Sequence, residues 1–129
     1  MLSQVEFRSD KFPATDDDTI NPGLWGDRLA RYLAAKLRAA GVETGMPYAE
    51  DLGWVVPVEN REFPLWIGCG HQSGDDDQFL CFIEPGTPTI RRFFRTIDTT
   101  APVGRVREAL ERILAADPEI REVRWFAEE

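Results

Sequence analysis

Three side chains near the middle of the chain are of the types that bind metals or act as nucleophiles: Cys69, His71 and Cys81. Successive side chains of a strand alternate between its two faces, so Cys69 and His71 would share one face. A hairpin folded about Asp75 would bring Cys81 to that face as well. Two thiolates and an imidazole are good zinc ligands, and water or an aspartate from residues 75–77 could complete the site. One hypothesis is therefore a small zinc- or thiol-dependent enzyme.

The spacing and surroundings of these residues weigh against such an enzyme. Cys-x-His with one distant cysteine is a weak zinc motif, and a buried free cysteine commonly packs as a small hydrophobe. A reactive thiolate needs an electropositive, partly exposed setting, whereas residues 75–77 are acidic. The sequence has no phosphate-binding glycine loop, nucleophile elbow or dinucleotide fingerprint. It therefore predicts no cofactor and favours a non-enzymatic protein.

The same residues belong to a predicted three-stranded antiparallel meander over residues 50–85. Its alternating apolar sets are Leu52, Trp54, Val56 and Val58, then Phe63, Leu65, Ile67 and Cys69, then Phe79, Cys81 and Ile83. Tight turns at Asn60 and Arg61 and at Asp75 predict the cross-strand pairs. These pairs are Val58 with Phe63, Val56 with Leu65, Trp54 with Ile67, Leu52 with Cys69, Ile67 with Ile83, and Cys69 with Cys81. A slip of one residue would turn the apolar side chains of a strand to the other face. The apolar cross-strand pairs therefore predict the register of the strands.

The opposite face of the meander is apolar too. It carries Val55, Trp66, Leu80 and Phe82, and Gly68 would lie across from Phe82 and leave room for its ring. Such a face is too apolar to be left wholly in water, so it needs cover from the chain itself, from a second subunit or from a ligand. We predict it as a ligand or partner face.

Two amphipathic helices flank the meander. The first is predicted over residues 22–40, with Asn21 as its N-cap, Gly41 at its C-terminal exit and leucines recurring every four residues. The second opens at residues 99–102, and short strands are predicted near both ends of the chain. The element order is β-α-β-β-β-(α)-α-β. It predicts one α+β domain over residues 1–129, with two main helices packed in a second layer on an antiparallel sheet of about five strands.

A basic cluster interleaved with aromatic residues follows the meander. It consists of Arg91, Arg92 and Arg95 around Phe93 and Phe94. The apolar spacing over residues 89–97 favours a short helix, because a strand would divide the two phenylalanines between faces, and a strand is the alternative. Guanidinium groups pair with carboxylates and phosphates, so an anion or small ligand bound near these arginines is a further hypothesis.

The charge and hydropathy of the chain limit the classes of partner that it can bind. Fifteen Lys and Arg against 23 Asp and Glu leave a formal net charge of −8, which argues against nucleic acid, since that affinity comes from neutralising phosphates. There is no apolar run of bilayer length and no secretory signal, so we predict a cytoplasmic protein with reduced cysteines and no membrane partner. A basic protein partner or a homodimer is compatible with these features.

Two acidic segments have simple interpretations. Residues 16–18 are predicted as a solvated loop, because they lack the regular spacing and glycine of a calcium loop. Glu50 and Asp51 stand at a strand entry, where two neighbouring carboxylates could bind a basic group or simply form a solvated strand end.

Four short elements are spread over most of the chain. They are Asn21-Pro22-Gly23 with Trp25-Gly26, then Glu50-Asp51-x-Gly53-Trp54, then Gly68-Cys69-Gly70, and finally Phe82-Ile83-Glu84-Pro85. In combination they resemble a family of small bacterial cytosolic proteins, and no activity comes with that resemblance. The second element also looks like elements of small immunity proteins that neutralise bacterial toxins. With the surplus apolar sheet face, this predicts a protein-interaction module, immunity-like or regulatory.

Overall fold

An antiparallel sheet of six strands carries two helices on one face in the computed structural model. The structure describes residues 1–19, 25–51, 53–72 and 76–127. In chain order the helices and strands are β1 (Leu2–Arg8), α1 (Asp27–Ala39), β2 (Tyr48–Glu50), β3 (Gly53–Val58), β4 (Leu65–His71), β5 (Gln78–Glu84), β6 (Thr89–Arg92), β7 (Arg95–Asp98), α2 (Thr100–Ala116) and β8 (Arg121–Ala127). The predicted α+β class, with two helices on an antiparallel sheet, is confirmed. Predicted features outside the described residues are the cap at Asn21, Pro22, Leu52 and the turn at Asp75.

The strand order in the sheet is β2-β3-β4-β5-β1-β8, and every neighbouring pair is antiparallel. The first strand therefore lies inside the sheet, where Gln4 pairs with Phe82 on β5 and Val5 pairs with Trp125 on β8. The strands predicted near the two chain ends are confirmed. The additional strand is β2, whose three residues are too few to show an alternating pattern.

The register predicted for β4 and β5 is confirmed, whereas that for β3 and β4 is wrong by two residues. Val58 faces Leu65 rather than Phe63. The connection is a loop over residues 59–64, in which Phe63 is buried and its carbonyl accepts a hydrogen bond from Asn60 Nδ2 at 3.1 Å. Because the shift is even, the described side chains keep their predicted faces.

Helix α1 begins at Asp27, five positions later than predicted. The backbone N–H groups of Gly26 and Asp27 donate to Asp18 Oδ1 at 3.0 and 3.1 Å. A loop carboxylate thus satisfies donors at the start of the helix, which is the role that the sequence suggested for Asn21.

The buried stripe and the C-terminal exit of α1 are confirmed. Leu29, Leu33 and Leu37 are fully buried. The Val42 N–H donates to the Leu37 carbonyl at 2.9 Å, and Gly41 has a φ of +87°. This left-handed glycine after the last turn satisfies helix carbonyls that would otherwise lack partners.

Both helices pack on the same face of the sheet. Helix α1 contacts β3 and β4, and α2 contacts β5 and α1. The buried side chains of α2 are Val103, Val106, Ala109, Leu110 and Leu114. These residues join the inward-facing strand residues and the α1 leucines in one core. Within the described ranges, neither helix is long and apolar enough to cross a membrane.

Residues 89–97 form strands, and the helix that their spacing favoured is wrong. The segment is a hairpin of β6 and β7, in which Ile90 faces Ile97. Ile97 is buried and Ile90 packs against the core, so the two isoleucines hold the hairpin to the body of the protein. Phe93 and Phe94 occupy the turn, where they belong to neither face of a strand.

Candidate functional site

The helices leave the outer face of the sheet open. We define this outer face by Val55, Trp66, Leu80 and Phe82, whose side chains alternate with those of the core. None of the four belongs to the buried cluster that joins the sheet to the helices. Val55 is buried, whereas the other three are half-buried. Among the described residues, the chain thus covers Val55 and leaves Trp66, Leu80 and Phe82 partly exposed, and the assignment of this face to a partner or ligand stays a prediction.

A cavity of about 500 Å³ opens on the outer face. It follows a cross-strand row in which Tyr48 faces Val55, Val55 faces Gly68, and Gly68 faces Phe82. Because Gly68 has no side chain, the Phe82 ring lies over its α-carbon, and a β-carbon there would lie 2.6 Å from each Cε of the ring. Trp66 meets Phe82 edge to face, with ring centroids 5.6 Å apart. The row thus forms a concave, aromatic surface.

The rim of this cavity is acidic. Glu50 and Asp51 line it, and both are exposed. No Lys, Arg or His is among the described residues that line it. Aromatic faces and carboxylates both attract cations. The cavity therefore suits a cationic group that also carries an apolar or aromatic part.

The two cysteines lie on the opposite, core-facing side of the sheet. Cys69 faces Cys81 as predicted, and both are buried free thiols. The Cys69 Sγ donates to the Trp54 carbonyl at 3.6 Å. A hydrogen bond to Cys69, together with burial, raises the pKa of the Cys81 thiol. Both effects disfavour the thiolate that a nucleophile or a zinc ligand would need.

His71 is turned towards an aromatic neighbour. Its imidazole stacks on Trp25 with ring centroids 3.7 Å apart and lies edge-on to Phe79. Its backbone N–H donates to the Trp25 carbonyl at 2.6 Å. Among the residues that the structure describes, no three His, Cys, Asp or Glu side chains are placed to hold a metal ion. Cys69 and Cys81 lie opposite each other, whereas the His71 imidazole stacks on Trp25, and the zinc site stays a prediction.

The predicted basic cluster lies away from the cavity. Arg91, Arg92 and Arg95 belong to the β6–β7 hairpin, and none of them lines the outer-face cavity. The Arg92 guanidinium lies 5.1 Å from the centroid of the Phe93 ring, and Arg95 Nη2 lies 4.0 Å from Glu62 Oε2. The outer face and the arginine cluster, which were predicted together as the ligand or partner face, thus lie at separate places on the molecule.

No known protein family, curated protein or solved structure matches this chain. The resemblance to small bacterial proteins therefore stays a prediction.

A larger cavity of about 680 Å³ separates the end of α1, the β3–β4 loop and α2. Its rim mixes carboxylates such as Glu43 and Glu59 with guanidinium groups such as Arg105 and Arg112. A hydrogen bond to Glu59 raises the pKa of Glu43. Because charges of both signs line this cavity, it gives a weaker indication of one ligand than the acidic, aromatic cavity does.

Asp18 has a structural role that the sequence did not reveal. Its Oδ1 accepts a hydrogen bond from Trp54 Nε1 at 2.7 Å besides those from Gly26 and Asp27, and its Oδ2 accepts the Thr15 N–H at 2.9 Å. The prediction of a solvated loop is therefore wrong for Asp18. A carboxylate ahead of a helix is a general capping signal, but nothing local indicates a bond to an indole 36 positions away.

Proposed function

We propose that this protein is a non-enzymatic interaction module, whose outer-face cavity binds a basic, aromatic segment of a protein partner. The observation that carries the proposal is the coincidence of Tyr48, Trp66 and Phe82 with Glu50 and Asp51 around one cavity. Desolvated aromatic anchors commonly supply most of the energy of a protein interface. Carboxylates at the edge of such a cavity steer a basic partner and suppress acidic ones.

The chemistry of the cavity supports binding rather than catalysis. Its described lining holds two exposed carboxylates and a tyrosine as titratable groups, apart from Cys69, whose side chain points to the core. Glu50 and Asp51 follow one another along the chain at the end of β2. Neighbouring extended residues point in different directions, so these carboxylates do not readily converge on one reacting atom.

The position of the Glu50-Asp51-x-Gly53-Trp54 element supports an immunity-like or regulatory role. The resemblance to immunity proteins rests on this element, and Glu50, Asp51, Gly53 and Trp54 all line the cavity. We place the module in the bacterial cytoplasm, where two buried free thiols stay reduced. Its net charge of −8 supports a basic protein partner over nucleic acid.

Amide chemical-shift mapping with a capped Lys-Phe-Lys peptide tests this proposal. We expect shifts at Val55, Gly68 and Phe82 that weaken as salt is added, because the charge contribution is screened. A Glu-Phe-Glu peptide should produce no comparable shifts. Equal binding of both peptides, or shifts confined to another surface, would contradict the proposal.

A matched pair of variants separates charge at the cavity from charge elsewhere. Glu50→Gln with Asp51→Asn keeps the shape of the rim and removes its charge, so it should weaken binding of the basic peptide. Glu119→Gln with Glu62→Gln removes the same charge from exposed positions that do not line the cavity. The control pair should bind the peptide as tightly as the natural sequence does.

A further inference from the structure

The turn of the β6–β7 hairpin presents two phenylalanine rings to solvent. Phe93 is 81% exposed and Phe94 is 99% exposed. Between them they form the largest exposed aromatic surface among the described residues. The fold gains almost nothing from burying these rings, so their presence at the turn needs another explanation.

The backbone of this turn is strained. Phe93 and Phe94 have φ values of +52° and +65°, while Arg92 pairs with Arg95 across the hairpin. A two-residue hairpin turn with two positive φ values strongly favours Asn-Gly or Gly-Gly, since a bulky side chain clashes with the backbone there. Strain of this kind persists at sites of function. Two exposed rings held in an unfavourable turn therefore indicate a contact with another molecule.

We propose that this hairpin tip, with Phe93, Phe94 and the three flanking arginines, docks into the outer-face cavity of a second copy of the chain. The inference rests on the proposed function, because it names the partner of that cavity. The tip carries aromatic rings among guanidinium groups, and the cavity carries aromatic rings among carboxylates. Guanidinium groups stack on aromatic faces and pair with carboxylates, so the two surfaces are complementary in both respects.

The geometry makes this contact intermolecular. Arg95 approaches Glu62, which follows the end of β3, whereas Glu50 and Asp51 precede its start. A strand of this length separates its ends by about 20 Å, and the tip rings are exposed in their own molecule. Each copy would thus offer one tip and one cavity at separate places. Reciprocal docking of two copies closes a two-fold dimer, whereas one-way docking builds rings or open chains.

Sedimentation velocity of the full chain over a wide range of protein concentrations tests the proposal. A hairpin tip in a cavity is a small interface, so we expect association that grows with concentration and weakens with salt. Phe93→Asn with Phe94→Gly supplies the preferred turn residues and removes both rings. This tip variant should fold at least as stably as the natural sequence and remain monomeric. A variant with Arg28→Glu, an exposed position on α1, should still associate.

Mixing two variants tests which surfaces meet. The tip variant keeps its cavity, and a cavity variant with Glu50→Lys and Asp51→Lys keeps its tip. Neither should associate alone. Their mixture should form dimers and nothing larger, because only one functional contact can form in each pair. Assembly that survives both sets of changes would overturn the inference.

The remaining outcomes separate this inference from the proposed function. If the chain stays monomeric while Lys-Phe-Lys still binds the cavity, self-docking is wrong and the interaction module stands. If neither self-association nor peptide binding occurs, both are wrong. Binding of the monomer to phosphatidylglycerol vesicles, lost in the tip variant, would replace the second copy with a lipid surface and so overturn the inference.

Discussion

The ring of Phe82 lies over the bare α-carbon of Gly68, its directly opposed neighbour on the adjacent strand. A glycine inside a strand usually weakens the strand. Here the missing side chain makes space for a ring, and the ring in turn contacts Trp66 edge to face. One absent methyl group therefore determines the shape of the outer-face cavity.

Substituting Gly68→Ala should change the cavity more than it changes stability. A β-carbon would overlap the Phe82 ring, which is half-buried and can swing outwards. Alanine is intrinsically better than glycine in a strand by about 0.5–1 kcal/mol, which offsets the repacking. The free energy of unfolding in urea should shift by less than about 1 kcal/mol, while binding of Lys-Phe-Lys should weaken.

The control for Gly68→Ala is the same substitution in a Phe82→Ala background. Without the ring, alanine should stabilise the protein by about 0.5–1 kcal/mol. The difference between the two backgrounds measures the coupling of the two positions. An identical effect in both backgrounds would show that the ring and the glycine are independent.

Asp18→Ala should lower the free energy of unfolding by about 2–3 kcal/mol. It removes the acceptor for the Trp54 indole and for two backbone N–H groups at the start of α1. Asp17→Ala, at the exposed neighbouring position, should change stability by less than about 0.5 kcal/mol. Urea titrations of both variants measure the difference, and equal effects would refute the role assigned to Asp18.

Asp117 should make stability depend on acid pH. Lys11 Nζ and the Tyr32 hydroxyl both donate to Asp117 Oδ2 at 2.6 Å, and they lower the pKa of this carboxyl to about 2. A pKa below that of the unfolded chain stabilises the fold above about pH 4, and this contribution is lost as the pH falls towards 2. It amounts to at most about 2 kcal/mol.

Urea titrations between neutral pH and pH 3 check this dependence. Asp117→Asn should be less stable at neutral pH and should lose less stability on acidification than the natural sequence. Tyr32→Phe removes one of the two donors, so the pKa of Asp117 should rise part of the way to its ordinary value. Asp16→Asn, at an exposed position, serves as the control. A pH profile unchanged by Asp117→Asn would count against the ion pair.

The two cysteines should resist alkylation in the folded protein. Both are buried and face each other across two strands, and the raised pKa of Cys81 reduces its thiolate fraction. Iodoacetamide should label them several orders of magnitude more slowly in buffer than in urea, because access requires unfolding. Ala35→Cys supplies an exposed thiol on α1 as a positive control. Fast labelling of Cys69 or Cys81 in the folded protein would contradict this prediction and support the thiol-enzyme hypothesis.

The sequence predicted the faces of the strands better than their pairing. Alternation fixes parity, so the core and outer faces were both predicted correctly in the described meander. A shift of two residues leaves every side chain on the same face. Alternation therefore cannot decide whether Val58 lies opposite Leu65 or Phe63. What decides that pairing is the burial of Phe63 in the loop, which depends on the packed core.

Other errors arose where distant parts of the chain determine local structure. Residues 89–97 have helical spacing, but the core contacts of Ile90 and Ile97 hold them as a hairpin. The structural role of Asp18 follows only from its hydrogen bonds with the Trp54 indole and with the start of α1. At the candidate site, Val55, Trp66 and Phe82 were predicted, whereas Tyr48 was missed because β2 is too short to show a pattern.

The place of β1 in the sheet has a consequence for biosynthesis. Its two neighbours are β5 and β8. Gln4 therefore cannot pair with Phe82, nor Val5 with Trp125, until those later residues have been synthesised. As the chain leaves the ribosome, β1 remains an unpaired strand until β5 emerges, and the sheet is complete only with the last strand. Pairings between such distant residues fold slowly and leave strand edges exposed meanwhile. The strand order therefore delays completion of the sheet until β8 has been synthesised.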